Sequence, residues 1–219
     1  MVGSLAHVSQ RRKVLDDAIK YRSNFELWEE SCVPSYCHPN WLAAYISWRR
    51  LYVAAKMGRA AKPDAKWVLD FGSSVGELGH LLPKGIRYDF IEAHESAARF
   101  LREQLPESRR TTLEDAPAGA YDQIFAIDSL EHNENYRELL VALVAKLAPG
   151  GVLILSGPTE NFLYRFGRKI AGFEGHYHET NIHAIERAAS ELLKRKSVRR
   201  IFPGITFFRV TAWKRASER

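Results

Sequence analysis

Two acidic residues and a run of small ones mark where this chain could bind and react. Asp70 closes the apolar run Trp67-Val68-Leu69, and Gly72, Ser74, Gly76 and Gly79 follow it. Glycine adopts φ > 0 at little cost, and small residues let the backbone come close to a ligand. Glu92 closes a second short run, Tyr88-Asp89-Phe90-Ile91, twenty positions after Gly72. In a doubly wound α/β fold that spacing sets a carboxylate where a nucleotide ribose lies. Its oxygens can accept from both ribose hydroxyls. Three histidines, His132, His176 and His178, are candidate general bases, because imidazole titrates near neutral pH. Cys32 and Cys37, with His38 beside them, supply too few ligands for zinc, and no metal is expected.

The elements that must position these residues alternate from Lys66 onward. Trp67–Asp70 reads as a buried strand, and Leu78, Leu81 and Leu82 have a helical spacing stopped by Pro83. Amides opening such a helix would point at the ligand. After Glu92, Ala97, Phe100, Leu101 and Leu105 share a helix face that ends at Pro106, and a weak strand follows near Arg110–Leu113. Tyr121–Asp128 is a strong buried strand. Asn135, with Glu138 three positions on, predicts a capping box for a helix carrying Leu139, Leu140, Leu143 and Leu147. Pro149-Gly150-Gly151 predicts a turn into the strand Val152–Ser156. Thr180 or Asn181 should cap a helix with Ile182, Ile185, Ala189 and Leu192, ending in Lys194-Arg195-Lys196. Val198–Phe202, a Pro203-Gly204 turn and Ile205–Trp213 predict a closing β-hairpin.

The fold class expected is therefore α/β: a Rossmann-like, doubly wound, mostly parallel seven-stranded sheet with a C-terminal β-hairpin and a helical N-terminal cap. Residues 1–62 form the cap and 63–219 the ligand-binding domain, with 60–66 as the linker and 159–179 as an insertion that covers the substrate. In the cap, Asn40 can start a helix whose Trp41, Tyr45, Trp48 and Tyr52 make one stripe. That stripe either packs on the main domain or lines the acceptor pocket. In the insertion, Phe162, Leu163, Phe166 and Ile170 can share a face opposed by Arg165, Arg168 and Lys169. Such a basic amphipathic segment suits an anionic or lipid-linked acceptor.

With 219 residues, 46% of them apolar and 26% charged, the chain has the composition of a soluble globular protein. No apolar run reaches the ~18 residues of a membrane span, and the start lacks the apolar core of a secretory signal. A cytoplasmic location is the expectation. The net charge of +6 permits an anionic partner without naming one.

The dinucleotide fingerprint fits poorly, because Ser74 and Glu77 stand where two of its glycines belong. Asp70 followed by G-x-S-x-G instead resembles the first motif of class I S-adenosylmethionine-dependent methyltransferases, usually D-x-G-x-G-x-G, with Ser74 replacing the middle glycine. Leu130-Glu131-His132 and the later Leu147-Ala148-Pro149-Gly150-Gly151 resemble the "LEH" and "LKPGG" segments of the same family. The nearest likeness is to the ubiquinone/menaquinone methyltransferase branch, and it covers Lys66 to Ser156. The resemblance implies S-adenosyl-L-methionine as the cofactor. It places Asp70, Gly72, Ser74 and Gly76 at the methionine end and Glu92 at the ribose. Ala93 and Leu113 would flank the adenine. Asp128 and Ser129 would face the sulfonium and the acceptor. The implied activity moves a methyl group to a small molecule, with oxygen as the favoured target atom. Two alternatives stand beside it, a nucleic-acid methyltransferase and a catalytically silent binding protein. The first lacks the N/D-P-P-Y-type segment usual in base-amino methylases.

Overall fold

Strands form here because their apolar runs are buried on both faces. Val68, Leu69, Phe90, Ile124, Phe125, Leu153 and Ile154 have no solvent exposure, as a parallel sheet covered by helices requires. The computed structural model describes residues 5–20, 25–28, 31–159, 180–201 and 208–215. Four helices come first: α1 (Leu5–Ile19), α2 (Phe25–Trp28), α3 (Val33–Tyr36) and α4 (Trp41–Ala61). Then follow β1 (Trp67–Phe71), β2 (Arg87–Ile91), α5 (Glu95–Gln104), β3 (Arg109–Arg110) and β4 (Tyr121–Ile127). The chain continues with α6 (Tyr136–Lys146), β5 (Leu147–Pro158), α7 (Ile182–Leu192), β6 (Lys194–Ile201) and β7 (Phe208–Lys214).

The sheet has seven strands in the order β3-β2-β1-β4-β5-β7-β6. β1 to β5 run parallel, and β7 lies antiparallel between β5 and β6. The Rossmann-like class, the seven strands, the C-terminal antiparallel hairpin and the N-terminal helices are all as expected. Strand order reverses between β1 and β4. The C-terminal ends of these two strands are the place where open α/β sheets bind ligands. One face of the sheet packs Val68, Phe90, Phe125 and Ile154 under α1, α4 and α5. The other packs Leu69, Ile124 and Leu153 under α6 and α7.

α4 is fastened to this sheet at its base. Asn40 caps its start, its side chain accepting from the amides of Leu42 and Ala43. At its end, the Gln123 side chain on β4 donates to the carbonyls of Gly58 and Lys62 at 3.0 and 2.9 Å. Those carbonyls are among the last of the helix; Gly58 also accepts from the Lys62 amide at 2.9 Å, and Lys62 from the Ala65 amide at 3.4 Å. Gly58 lies against Phe125, where a Cβ would come within 2.7 Å of the ring. The expected linker 60–66 is accordingly shorter, because α4 continues through Ala61. The aromatic stripe divides. Trp48 and Tyr52 are buried, whereas Trp41 and Tyr45 stack outward at 5.1 Å.

Several local expectations are corrected. Leu78, Leu81 and Leu82 do not start an α-helix; Gly79–Leu81 is a single 3-10 turn. Pro83 leaves too few residues to repay helix nucleation. Asn135 makes no side-chain cap for α6. Pro149-Gly150-Gly151 lies within β5, in a bulge where the register shifts between Tyr121 and Gln123. Lys194-Arg195-Lys196 opens β6 and does not end the helix. The expected Pro203-Gly204 turn and the insertion helix fall outside the described residues. Among the described residues no helix is long and apolar enough to cross a membrane.

Replacing Gly58 by valine drives a side chain into Phe125. We expect a loss of about 1–3 kcal/mol from overpacking, read as a lower urea midpoint with unchanged m-value.

Candidate functional site

The loop after β1 gets its shape from hydrogen bonds to the end of β2. The amides of Gly72 and Ser73 donate to the Ile91 carbonyl at 2.9 and 3.3 Å. The Ser74 amide donates to Glu92 Oε2 at 2.6 Å, and the His94 amide donates to Glu92 Oε1 at 2.8 Å. Thus the loop amides, expected to face a ligand from a helix start, are engaged within the protein. The backbone is left-handed at Gly72, Ser74 and Gly76. A Cβ on Gly72 would sit 2.4 Å from the Ser129 Cβ, so the ends of β1 and β4 touch there. A Cβ on Gly76 would meet Leu101 of α5 at 2.5 Å.

Asp70 is buried and accepts from the Tyr88 hydroxyl at 2.6 Å. Burial raises its pKa to about 7, the Tyr88 hydrogen bond opposes the rise, and the nearby Glu92 charge adds to it. Asp70 and Glu92 therefore share one electrostatic neighbourhood at the ends of β1 and β2. Two buried hydroxyls there, Ser73 Oγ and Ser129 Oγ, have no hydrogen-bond partner among the described residues. Buried orphan hydroxyls are costly, and a polar ligand would satisfy them.

The N-terminal helices close over this loop through charged pairs. Arg11 of α1 holds Glu77 with two hydrogen bonds, at 2.9 and 2.7 Å. Burial pushes the Glu77 carboxyl up, and Arg11 pulls it back. The Cys32 amide donates to Ser74 Oγ at 3.1 Å. Burial raises the Tyr36 hydroxyl well above the ordinary phenol range, with Cys32 adding and Arg50 opposing. Arg50 of α4 pairs with Asp128 at the end of β4, and its guanidinium lies 4.4 Å over the Phe208 ring. Asp128 has φ 50, and its Oδ1 accepts from Ser156 Oγ at 3.1 Å.

Among the residues singled out from sequence, Asp70, Gly72, Ser74, Gly76, Glu92, Asp128 and Ser129 gather at the C-terminal ends of β1, β2 and β4. Ala93 is exposed just after Glu92, and Leu113 is half-buried against the opposite-face core. His132 ends the 3-10 turn Leu130–His132 and is exposed. His176 and His178 lie outside the described residues. Sequence reasoning missed Arg11, Cys32, Tyr36, Arg50 and Glu77. The available signal was Arg50, a charge between Ser47, Leu51 and Ala54 on the buried face of α4. Among the described residues no cluster of three or more His, Cys, Asp or Glu could hold a metal.

A family model described as a methyltransferase domain matches residues 45–219. The chain belongs to that methyltransferase family. The matched region begins inside α4, so the family's unit includes the end of α4 that Gln123 holds. Trans-aconitate 2-methyltransferase of Delftia acidovorans is 32% identical over 129 residues, 54% of this chain. That match spans about half the relative's length, 48%. The N-methyltransferase NodS of Bradyrhizobium japonicum, solved with S-adenosyl-L-homocysteine, superposes with a TM-score of 0.65 at 16% identity. The match covers 79% of this chain and 88% of NodS. Magnesium protoporphyrin IX methyltransferase (ChlM) of Synechocystis, also solved with S-adenosyl-L-homocysteine, gives a TM-score of 0.65 at 17% identity. There the match covers 94% of this chain and 99% of ChlM. At these identities the likeness is one of fold.

Asp70 sets a pH dependence for the ligand-free protein. Its folded pKa of about 7 exceeds its ordinary value of 3.8. Its contribution to stability is therefore complete below the unfolded pKa and is lost as pH rises through about 7. Between the two values the loss approaches about 1.4 kcal/mol per pH unit. Asp70→Asn removes the titration, so its melting temperature relative to the parent should rise from pH 5 to pH 8.

Proposed function

We propose that this chain is an S-adenosyl-L-methionine-dependent methyltransferase acting on a small-molecule acceptor. The observation that carries the reading is the convergence of Asp70, Glu92 and the left-handed loop at the β1/β4 switch point. The residues present fit such a ligand. Each Glu92 oxygen accepts one backbone amide, and a carboxylate offers about four lone-pair positions in all. The remaining positions can accept from ribose hydroxyls. Asp70 and the orphan Ser73 and Ser129 hydroxyls suit a charged amino-acid tail. In this reading Gly72, Ser74 and Gly76 let the tail lie close to the backbone. Ala93 and Leu113 flank the adenine, and Asp128 and Ser129 stand beside the reacting methyl.

The bound donor supplies an activated methyl group on a sulfonium. The protein must then hold an acceptor atom in line, about 3 Å from that methyl. The N-terminal helices, joined to the loop by Arg11 and Cys32, exclude water from this region. An oxygen target is supported by the substrate named for the Delftia acidovorans relative, trans-aconitate, a carboxylic acid.

Isothermal calorimetry with S-adenosyl-L-homocysteine tests the reading. The parent should bind, and Glu92→Ala should bind about 10–100-fold more weakly, as for loss of hydrogen bonds to a charged group. No binding by the folded parent would end the proposal. Binding without transfer of labelled methyl to any acceptor would favour a silent binding protein.

A further inference from the structure

We propose that Arg50 is the acceptor-recognition residue and that the acceptor is a small organic acid whose carboxylate pairs with it. The inference rests on the methyltransferase reading above and names its substrate class. Arg50 is 6% exposed, at the inner face of α4. A guanidinium is costly to bury, and a pair of apolar residues often serves packing as well or better. The neighbours of Arg50 on that face, Ser47, Leu51 and Ala54, pack without a charge. The fold alone therefore does not ask for arginine here.

The partner of Arg50 is equally unusual. Asp128 holds a left-handed backbone at φ 50, a conformation uncommon outside glycine. Such strain gathers at functional sites, where the surroundings enforce it. The guanidinium lies over the Phe208 ring, which fixes its plane. Its Nε donates to the Ser47 carbonyl at 3.4 Å, and its Nη1 meets Asp128. Five N–H groups radiate from a guanidinium in one plane, and a carboxylate can take two in parallel. Among the described residues Nη2 has no acceptor, so one edge of the fork remains for a second carboxylate. Asp128 keeps its place on Nη1, and neither buried charge is left unpaired.

Position links this group to methyl transfer. Gly72 and Ser129 touch, so the end of β4 lies against the glycine loop. Asp128 is the next residue, and Arg50 reaches it from α4. A carboxylate on Arg50 thus sits beside the methionine end of the donor site, across from β1. The donor carries a carboxylate of its own, and the test separates the two sources.

Titrate trans-aconitate and citrate into the full chain, with and without saturating S-adenosyl-L-homocysteine. We expect at least one acid to bind the parent. Arg50→Met should weaken that binding about thirtyfold or more, with adenosylhomocysteine affinity changed less than about threefold. Asp128→Asn removes the negative charge beside that edge. It should bind the acid more tightly and gain more melting temperature from it than the parent does, a gain that misfolding cannot produce. Equal acid binding by the parent and Arg50→Met, or no acid binding by the parent, overturns the proposal. So does loss of adenosylhomocysteine binding in Arg50→Met with retained binding of methylthioadenosine, which would assign Arg50 to the donor's carboxylate. Arg50-dependent acid binding without any adenosylhomocysteine binding would overturn the donor reading and leave the anion site standing.

Discussion

The carboxylate of Glu92 accepts from two backbone amides in different loops, Ser74 after β1 and His94 before α5. Both loops leave neighbouring parallel strands, and nothing in strand pairing fixes their relation beyond Phe71 and Ile91. The Ile91 carbonyl, which accepts from the Gly72 and Ser73 amides, and the Glu92 side chain together supply that relation. They hold the β1 loop toward β2, and its backbone is left-handed at Gly72, Ser74 and Gly76. Carboxylates and hydroxyls (Asp70, Glu92, Ser73 and Ser129) gather at these strand ends, and the Gly72, Ser73 and Ser74 amides are already engaged. That set of groups suits a ligand with positive charge and hydroxyl groups more than one with phosphates, which favour free amides at a helix start.

The second constraint is that the N-terminal helices are tied to the candidate site. Arg11 reaches Glu77 in the loop itself, and Arg50 reaches Asp128 across the end of β4. Both acids are buried or nearly so, and each would be costly if left alone. The helices and the loop thus depend on each other electrostatically as well as through the shared apolar core.

Much of the sheet was legible in the sequence because its strands are short apolar runs bounded by glycine, proline or acid. The loop was legible for the same reason: Asp70, Gly72 and Glu92 punctuate strand ends. What escaped had competing explanations. Leu78 and Leu81 are spaced like a helix because they are buried core residues, and a 3-10 turn buries them just as well. Lys194 to Lys196 looked like a helix end because cations favour one, yet they are exposed on an edge strand, where lysine is also favoured. Arg50 escaped because one arginine in an apolar stripe resembles a long side chain reaching for water. Its partner lies 78 positions away, and no local pattern links Arg50 to Asp128.

The hold of Gln123 on the end of α4 joins residues 65 positions apart, measured to Gly58. During synthesis at about 5–20 residues per second, α4 leaves the ribosome roughly 3–13 s before the strand that receives it. Leu51, Ala54 and Met57, buried in the finished protein, stay uncovered at least that long, because α4 packs against β5 and β7 as well as β4. The nascent chain thus carries an uncovered apolar helix face until its later strands arrive, and such transiently exposed surface favours aggregation.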